Sequence, residues 1–130
     1  MRIGLLVVAA LALAGFVVVA FVLPRMAGED AKQAAQALIA GAEPAQRQVG
    51  AAAEKAGSLA ASGKDVRLAA RNDPKHGELK WLIAEGGAVR AWNEKNAIEV
   101  IFMPQLQGGK TVWTCRGFPV NAMPANCGGR

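Results

Sequence analysis

Cys115 and Cys127 are the two cysteines of this 130-residue chain, and they lie close together near its C-terminus. A lone pair in a small domain outside a membrane reads as one disulfide formed in an oxidising compartment. Closing a loop of this size stabilises a fold by about 3 kcal/mol in the chain-entropy picture. Zinc would need further ligands, and His76 is the single histidine. Flanked by Lys75 and Gly77, with no cysteine or carboxylate at a recognised spacing, His76 reads as a solvated loop residue. Gly86-Gly87, Gly108-Gly109 and Gly128-Gly129 read as turns and a flexible end, not as a phosphate cradle. With no catalytic constellation, neither an enzyme activity nor a cofactor, metal or small-molecule substrate is expected.

The formal charge is +5, and the excess sits in the C-terminal half, where from Lys64 onward ten bases face six acids. Lys64, Arg67, Arg71, Lys75 and Lys80 form a loose series, with Arg90, Lys95, Lys110, Arg116 and Arg130 beyond it. A cationic patch can bind a nucleic-acid backbone without reading sequence. Here the bases are dispersed among acids, and only three tryptophans and four phenylalanines could stack on bases. An ordinary basic surface is the preferred reading, with DNA binding as the alternative. Trp81, Trp92 and Trp113 each fall in an expected strand and read as core or cross-strand partners. Glu29-Asp30 reads as solvated helix surface.

The elements that must position these residues begin with an unbroken apolar run. Ile3 to Leu23 carries no charge and suffices to cross a hydrocarbon core, which takes about 20 helical residues. Residues 1–24 are therefore expected to form a transmembrane helix. Ala12-Leu13-Ala14 resembles a signal-peptidase site behind the basic Arg2. Cleavage there would leave a strongly apolar new terminus, so a retained anchor is the better reading. Ala10 and Ala14 offer small-residue contacts to other membrane helices. Arg2 favours an inside N-terminus, partly offset by Arg25 and Lys32.

Residues 25–63 read as an amphipathic helical stem. Ala31, Ala35, Leu38, Ala42, Ala45, Val49, Ala52, Ala56 and Leu59 recur in steps of four and three, which keeps them on one face. A stripe so rich in alanine needs a partner that approaches closely; a sheet fits better than a coiled coil. Pro44 is expected to kink or split the helix, and Ser62-Gly63 to end it with Gly63 as left-handed cap. Residues 64–130 then read as a β domain. Strands are expected at Leu79 to Glu85, Ala88 to Trp92, Ala97 to Met103 (stopped by Pro104) and Lys110 to Arg116. The short connections imply antiparallel pairing. Asn72-Asp73-Pro74 reads as a turn. The expected fold class is α+β, with a long N-terminal helix on a four-stranded antiparallel sheet and a disulfide-closed C-terminal loop.

This plan resembles the type IV pilins and their pilin-like relatives. Group-one pilins often end with a strand carrying Trp-x-Cys, then a loop, then Pro-x-x-Cys. The corresponding residues are Val112-Trp113-Thr114-Cys115 and Met123-Pro124-Ala125-Asn126-Cys127. Pro104 and Gly108-Gly109-Lys110 also fall where such sequences often have them, and Leu23-Pro24 matches the step between span and stem. The resemblance implies a single-pass protein of a bacterial inner membrane with a periplasmic domain, or a domain on the cell surface if assembled in a pilus. Its partners would be other pilins, pilus-assembly membrane proteins and the lipid bilayer. Two family features are missing. No prepilin cleavage motif is evident, and with Leu23-Pro24 aligned, Val7 stands where the membrane glutamate belongs. A carboxylate inside a bilayer is kept only for a purpose. Its absence points to an accessory protein retained in the inner membrane. The alternatives are a fibre subunit with a diverged processing signal and a DNA-binding pilin used in DNA uptake.

Overall fold

The computed structural model describes residues 23–129. Apart from Leu23, the apolar run, with Ala10 and Ala14, lies outside the described residues. Among the described residues no helix is long and apolar enough to cross a membrane. One α-helix, α1 (Leu23–Ala56), precedes five strands: β1 (Arg71–Asp73), β2 (Gly77–Ile83), β3 (Val89–Asn93), β4 (Ile98–Gln107) and β5 (Lys110–Phe118). Short 3-10 turns follow at Val120–Ala122 and Ala125–Cys127. The strands form one antiparallel meander in chain order, with α1 packed on one face.

The helix meets the sheet along a seam of small residues. Ala34, Ala35, Leu38, Ala42, Ala45, Val49 and Ala53 are buried, against Leu79, Val89, Ala91, Ile98, Val100 and Phe102 from the strands. The expected stripe holds from Ala35 to Val49 and then changes, since Ala52 and Ala56 are exposed and Ala53 takes the inward place. A repeat of seven drifts by about 20° per heptad on a straight helix, so an added step of four restores the face. The helix runs unbroken through Pro44, which sits on its exposed side. The carbonyl freed by Pro44 belongs to Ala40, also exposed, where water can satisfy it.

Trp81 closes the seam. It is 9% exposed and its indole Nε1 donates to the Leu38 carbonyl at 3.0 Å. The ring lies over Gly41, where any Cβ would collide with it. Gly41 is therefore the notch that admits the largest side chain of the core.

The helix ends earlier than expected. Gly57, with φ +67, takes the left-handed position after Ala56. The Ser58 amide donates back to the Ala53 carbonyl at 3.1 Å, as in a Schellman cap. Gly63 serves close approach instead: its amide donates to the Glu85 carbonyl at 3.0 Å, and a side chain there would strike the Ala84 carbonyl.

Four strands lie where the sequence places them, with two boundaries corrected. Pro104 does not stop β4, which continues to Gln107 opposite β5. Pairing with β3 ends at Phe102, so beyond that point β4 has a strand neighbour on one side only, where proline is tolerated. Ala97 belongs to the preceding turn, with φ 52. A fifth strand, β1, occupies Arg71–Asp73 and pairs with Gly77–Leu79. Its residues have low β propensity; the hairpin turn, more than its side chains, makes it a strand.

Helix propensity alone favours alanine over glycine by about 1 kcal/mol. Gly41→Ala is nevertheless expected to destabilise the fold by about 1–3 kcal/mol, through overpacking against Trp81. Urea unfolding measures this. Adding Trp81→Phe should make the pair of changes less costly than their sum. A stabilised Gly41→Ala protein would mean that the indole is not seated in the notch.

Candidate functional site

The C-terminal loop is fastened to the last strand. Cys115 and Cys127 form a disulfide with their Cα atoms 4.4 Å apart. Cys115 stands opposite Phe102 on β4 and so faces the helix. From β5 the chain passes through the cis Phe118–Pro119 peptide into the first 3-10 turn, and Ala122 and Met123 enter the core. Gly117 leaves room for the Met123 side chain. Cys127 is fully buried. The bond therefore holds an irregular tail that contributes apolar surface to the core but lacks a strand ladder of its own.

A groove of about 670 Å³ lies between this loop and α1, lined by Ile39, Gln46, Trp113, Arg116 and Asn126 among others. It gathers the side-chain amides of Gln46 and Asn126 beside Ile39, Phe102 and Trp113. No group of three or more His, Cys, Asp or Glu that could hold a metal ion occurs among the described residues.

The five bases singled out in the sequence do not share a face. Lys64 and Arg67 follow the helix, where Gly63 docks on the β2–β3 turn. Arg71 stands opposite Leu79, on the helix side of the sheet, with its guanidinium 5.9 Å from the Trp81 ring centroid. Lys75 sits at the other end of the domain, where its ammonium donates to Gln33. Lys80 points to the opposite face of the sheet, between Glu94 at 3.3 Å and Glu78 at 3.4 Å. The hydrogen bond it donates to Glu94 and the charge of Glu78 hold its ammonium above the ordinary lysine range. Glu29, on α1, lies 3.9 Å from Lys32.

The face of the sheet away from α1 carries Lys80, Leu82, Arg90, Trp92, Glu99, Ile101, Met103 and Arg116 by strand alternation. Trp92 is thus outside the core, half-buried under the Arg90 guanidinium, which is 5.0 Å from its ring centroid. Arg90 also pairs with Glu99 at 2.8 Å. Trp81 is core as expected, and Trp113 is half-buried on the helix side. Leu82 is 59% exposed.

His76 departs furthest from expectation. It is buried, 6% exposed, and its Nδ1 has no hydrogen-bond partner among the described residues. Two side chains build its surroundings. The Asp73 carboxylate accepts the amides of Lys75 at 2.8 Å and His76 at 2.9 Å. Asn93, fully enclosed, donates to the His76 and Glu78 carbonyls at 2.8 and 2.9 Å, while its oxygen accepts the Asn96 amide at 3.0 Å. One asparagine thus ties the β1–β2 turn to the β3–β4 turn. The sequence signal was present in the two turn motifs, but nothing in either says that they touch.

No protein-family model, curated protein or solved structure matches the chain.

Two outcomes are expected. Replacing both cysteines by serine should lower stability by about 3 kcal/mol and expose the tail after β5 to protease; unchanged unfolding and proteolysis would show the tail to be held without the bond. For Asp73, the His76 amide and then the Lys75 amide hold the carboxyl below its ordinary range, against a smaller opposite push from burial. Its contribution is therefore complete above the unfolded-chain value of about 3.9 and vanishes as pH falls through the lowered value. Asp73→Ala should be less stable than the parent at neutral pH and converge with it in acid. A constant gap across the acid range would contradict this.

Proposed function

We propose that the chain is a pilin-like, membrane-anchored structural or assembly protein, retained in the inner membrane as an accessory of a pilus or secretion system. One observation carries the reading: a helix present from the end of the apolar run lies with a small-residue seam across an antiparallel meander, and the Cys115–Cys127 bond secures the C-terminal loop to the last strand. An anchor, a stem and a rigid β layer suit a protein whose work is contact. In this reading Ile3 to Leu23 stays in the bilayer, with Ala10 and Ala14 facing neighbouring helices. The domain lies in the periplasm, where the disulfide can form and persist. The lack of any carboxylate in the run favours retention over polymerisation.

The fibre-subunit alternative predicts a different fate for the same chain. Cells expressing a C-terminally tagged copy should yield it at full length in inner-membrane fractions, with little in sheared filaments. Recovery mainly from sheared pili in a shortened form would reverse the assignment. DNA binding by the basic series would appear as a gel shift at low salt that weakens as salt rises; the spread of those bases over both ends and both faces favours no such shift.

A further inference from the structure

One end of the β domain gathers features that the seam does not use. At one end of β5, the Thr111 hydroxyl donates to the Gly50 carbonyl at 3.4 Å. At the other end, Pro119, Asn121 and Ala122 line a groove of about 370 Å³ with Gly28, Glu29, Ala31 and Lys32. β5 therefore runs back along α1, and Phe118 lies at the level of the helix residues that follow the apolar run. The β1–β2 turn reaches the same end, since Lys75 donates to Gln33. So does the β3–β4 turn, whose Lys95 ammonium donates to the Lys75 carbonyl at 3.2 Å. At this same end Phe118 is 59% exposed and Val120 is 37% exposed.

Distance along the helix says what this end faces. The uncharged run ends at Leu23. At 1.5 Å per residue, Gly28 to Lys32 lie about 8–14 Å beyond it along the axis. The headgroup layer of one leaflet occupies about 5–7 Å of that, which leaves this end just outside the layer and within a side chain's reach of it. The acids at this end are largely engaged: Glu29 with Lys32, Glu94 with Lys80, and Asp73 with two amides; Asp30 on α1 has no ion-pair partner among the described residues. Exposed apolar side chains and long basic side chains gathered at one end are a composition that membrane surfaces favour.

We propose that this end of the domain is seated on the lipid surface, with Phe118 and Val120 reaching down to the headgroup layer and Lys75 and Lys95 adding positive charge above it. The proposal rests on the membrane-anchored reading above. It adds a second point of attachment, which fixes the tilt of the domain on its stem and leaves the opposite face of the sheet turned sideways, open to protein partners.

The full chain, reconstituted at one copy per nanodisc of phosphatidylcholine and phosphatidylglycerol, tests it. A spin-labelled unnatural amino acid is placed singly at positions 14, 82, 118 or 120, and accessibility to a water-soluble nickel chelate is read by power saturation. Labels at 118 and 120 are expected to be several-fold less accessible than the one at 82, and the one at 14 fully protected. Labels at 118 and 120 as accessible as 82, with 14 still protected, would overturn the proposal and leave the anchor standing. An accessible label at 14 would overturn both. Protection at 118 that appears only with several copies per disc would assign the surface to a neighbouring copy and also overturn the proposal.

Discussion

The close approach of α1 to the sheet is the constraint on which the other features depend. Alanine at five of the seven seam positions brings the helix backbone near enough for Trp81 to reach the Leu38 carbonyl. Bulk comes from the strands, through Leu79, Ile98, Phe102 and the indole itself, while the helix supplies a shallow surface and one notch at Gly41. Because little apolar area is buried per alanine, fit matters more here than sheer burial. The helix cannot shift along its axis without driving the indole into a Cβ.

That constraint organises both ends of the domain. At the end near Gly50, the β2–β3 turn and the segment after the helix pack together around Ser62, Gly63 and Gly87. At the end near Gln33, Asn93 joins two turns and buries His76 between them. The C-terminal tail has no ladder to hold it, and the disulfide supplies what hydrogen bonds cannot. The helix-facing side of the sheet is thus largely covered, and the far side is left open.

Much of this was legible in the sequence, because periodic patterns report faces. The steps of three and four from Ala35 to Val49 gave the buried side of the helix, and the alternation of Ile98, Val100 and Phe102 gave the inner face of β4. The two cysteines gave the staple. What escaped notice depends on contacts distant in sequence. Gly41 looks like any weak helix residue until Trp81 is placed above it. His76 looks solvated until Asn93 ties its turn to the β3–β4 turn. Trp92 passed for core because its type is usually buried, though alternation from Ala91 already turns it outward. Pro104 and the Asn72-Asp73 pair mislead for one reason: both are read locally as breakers, while a one-sided strand position or a three-residue strand tolerates them; Pro74 does lie in the turn.

Hydrogen–deuterium exchange on the intact chain tests the central claim, that helix and sheet stand as one unit through the seam. Amides from Ala35 to Ala53 should exchange as slowly as those of β3 and β4 and open together with them, with Gly41→Ala speeding both sets alike. A helix that exchanges freely while β3 and β4 stay protected would show the seam to be dispensable and contradict the account.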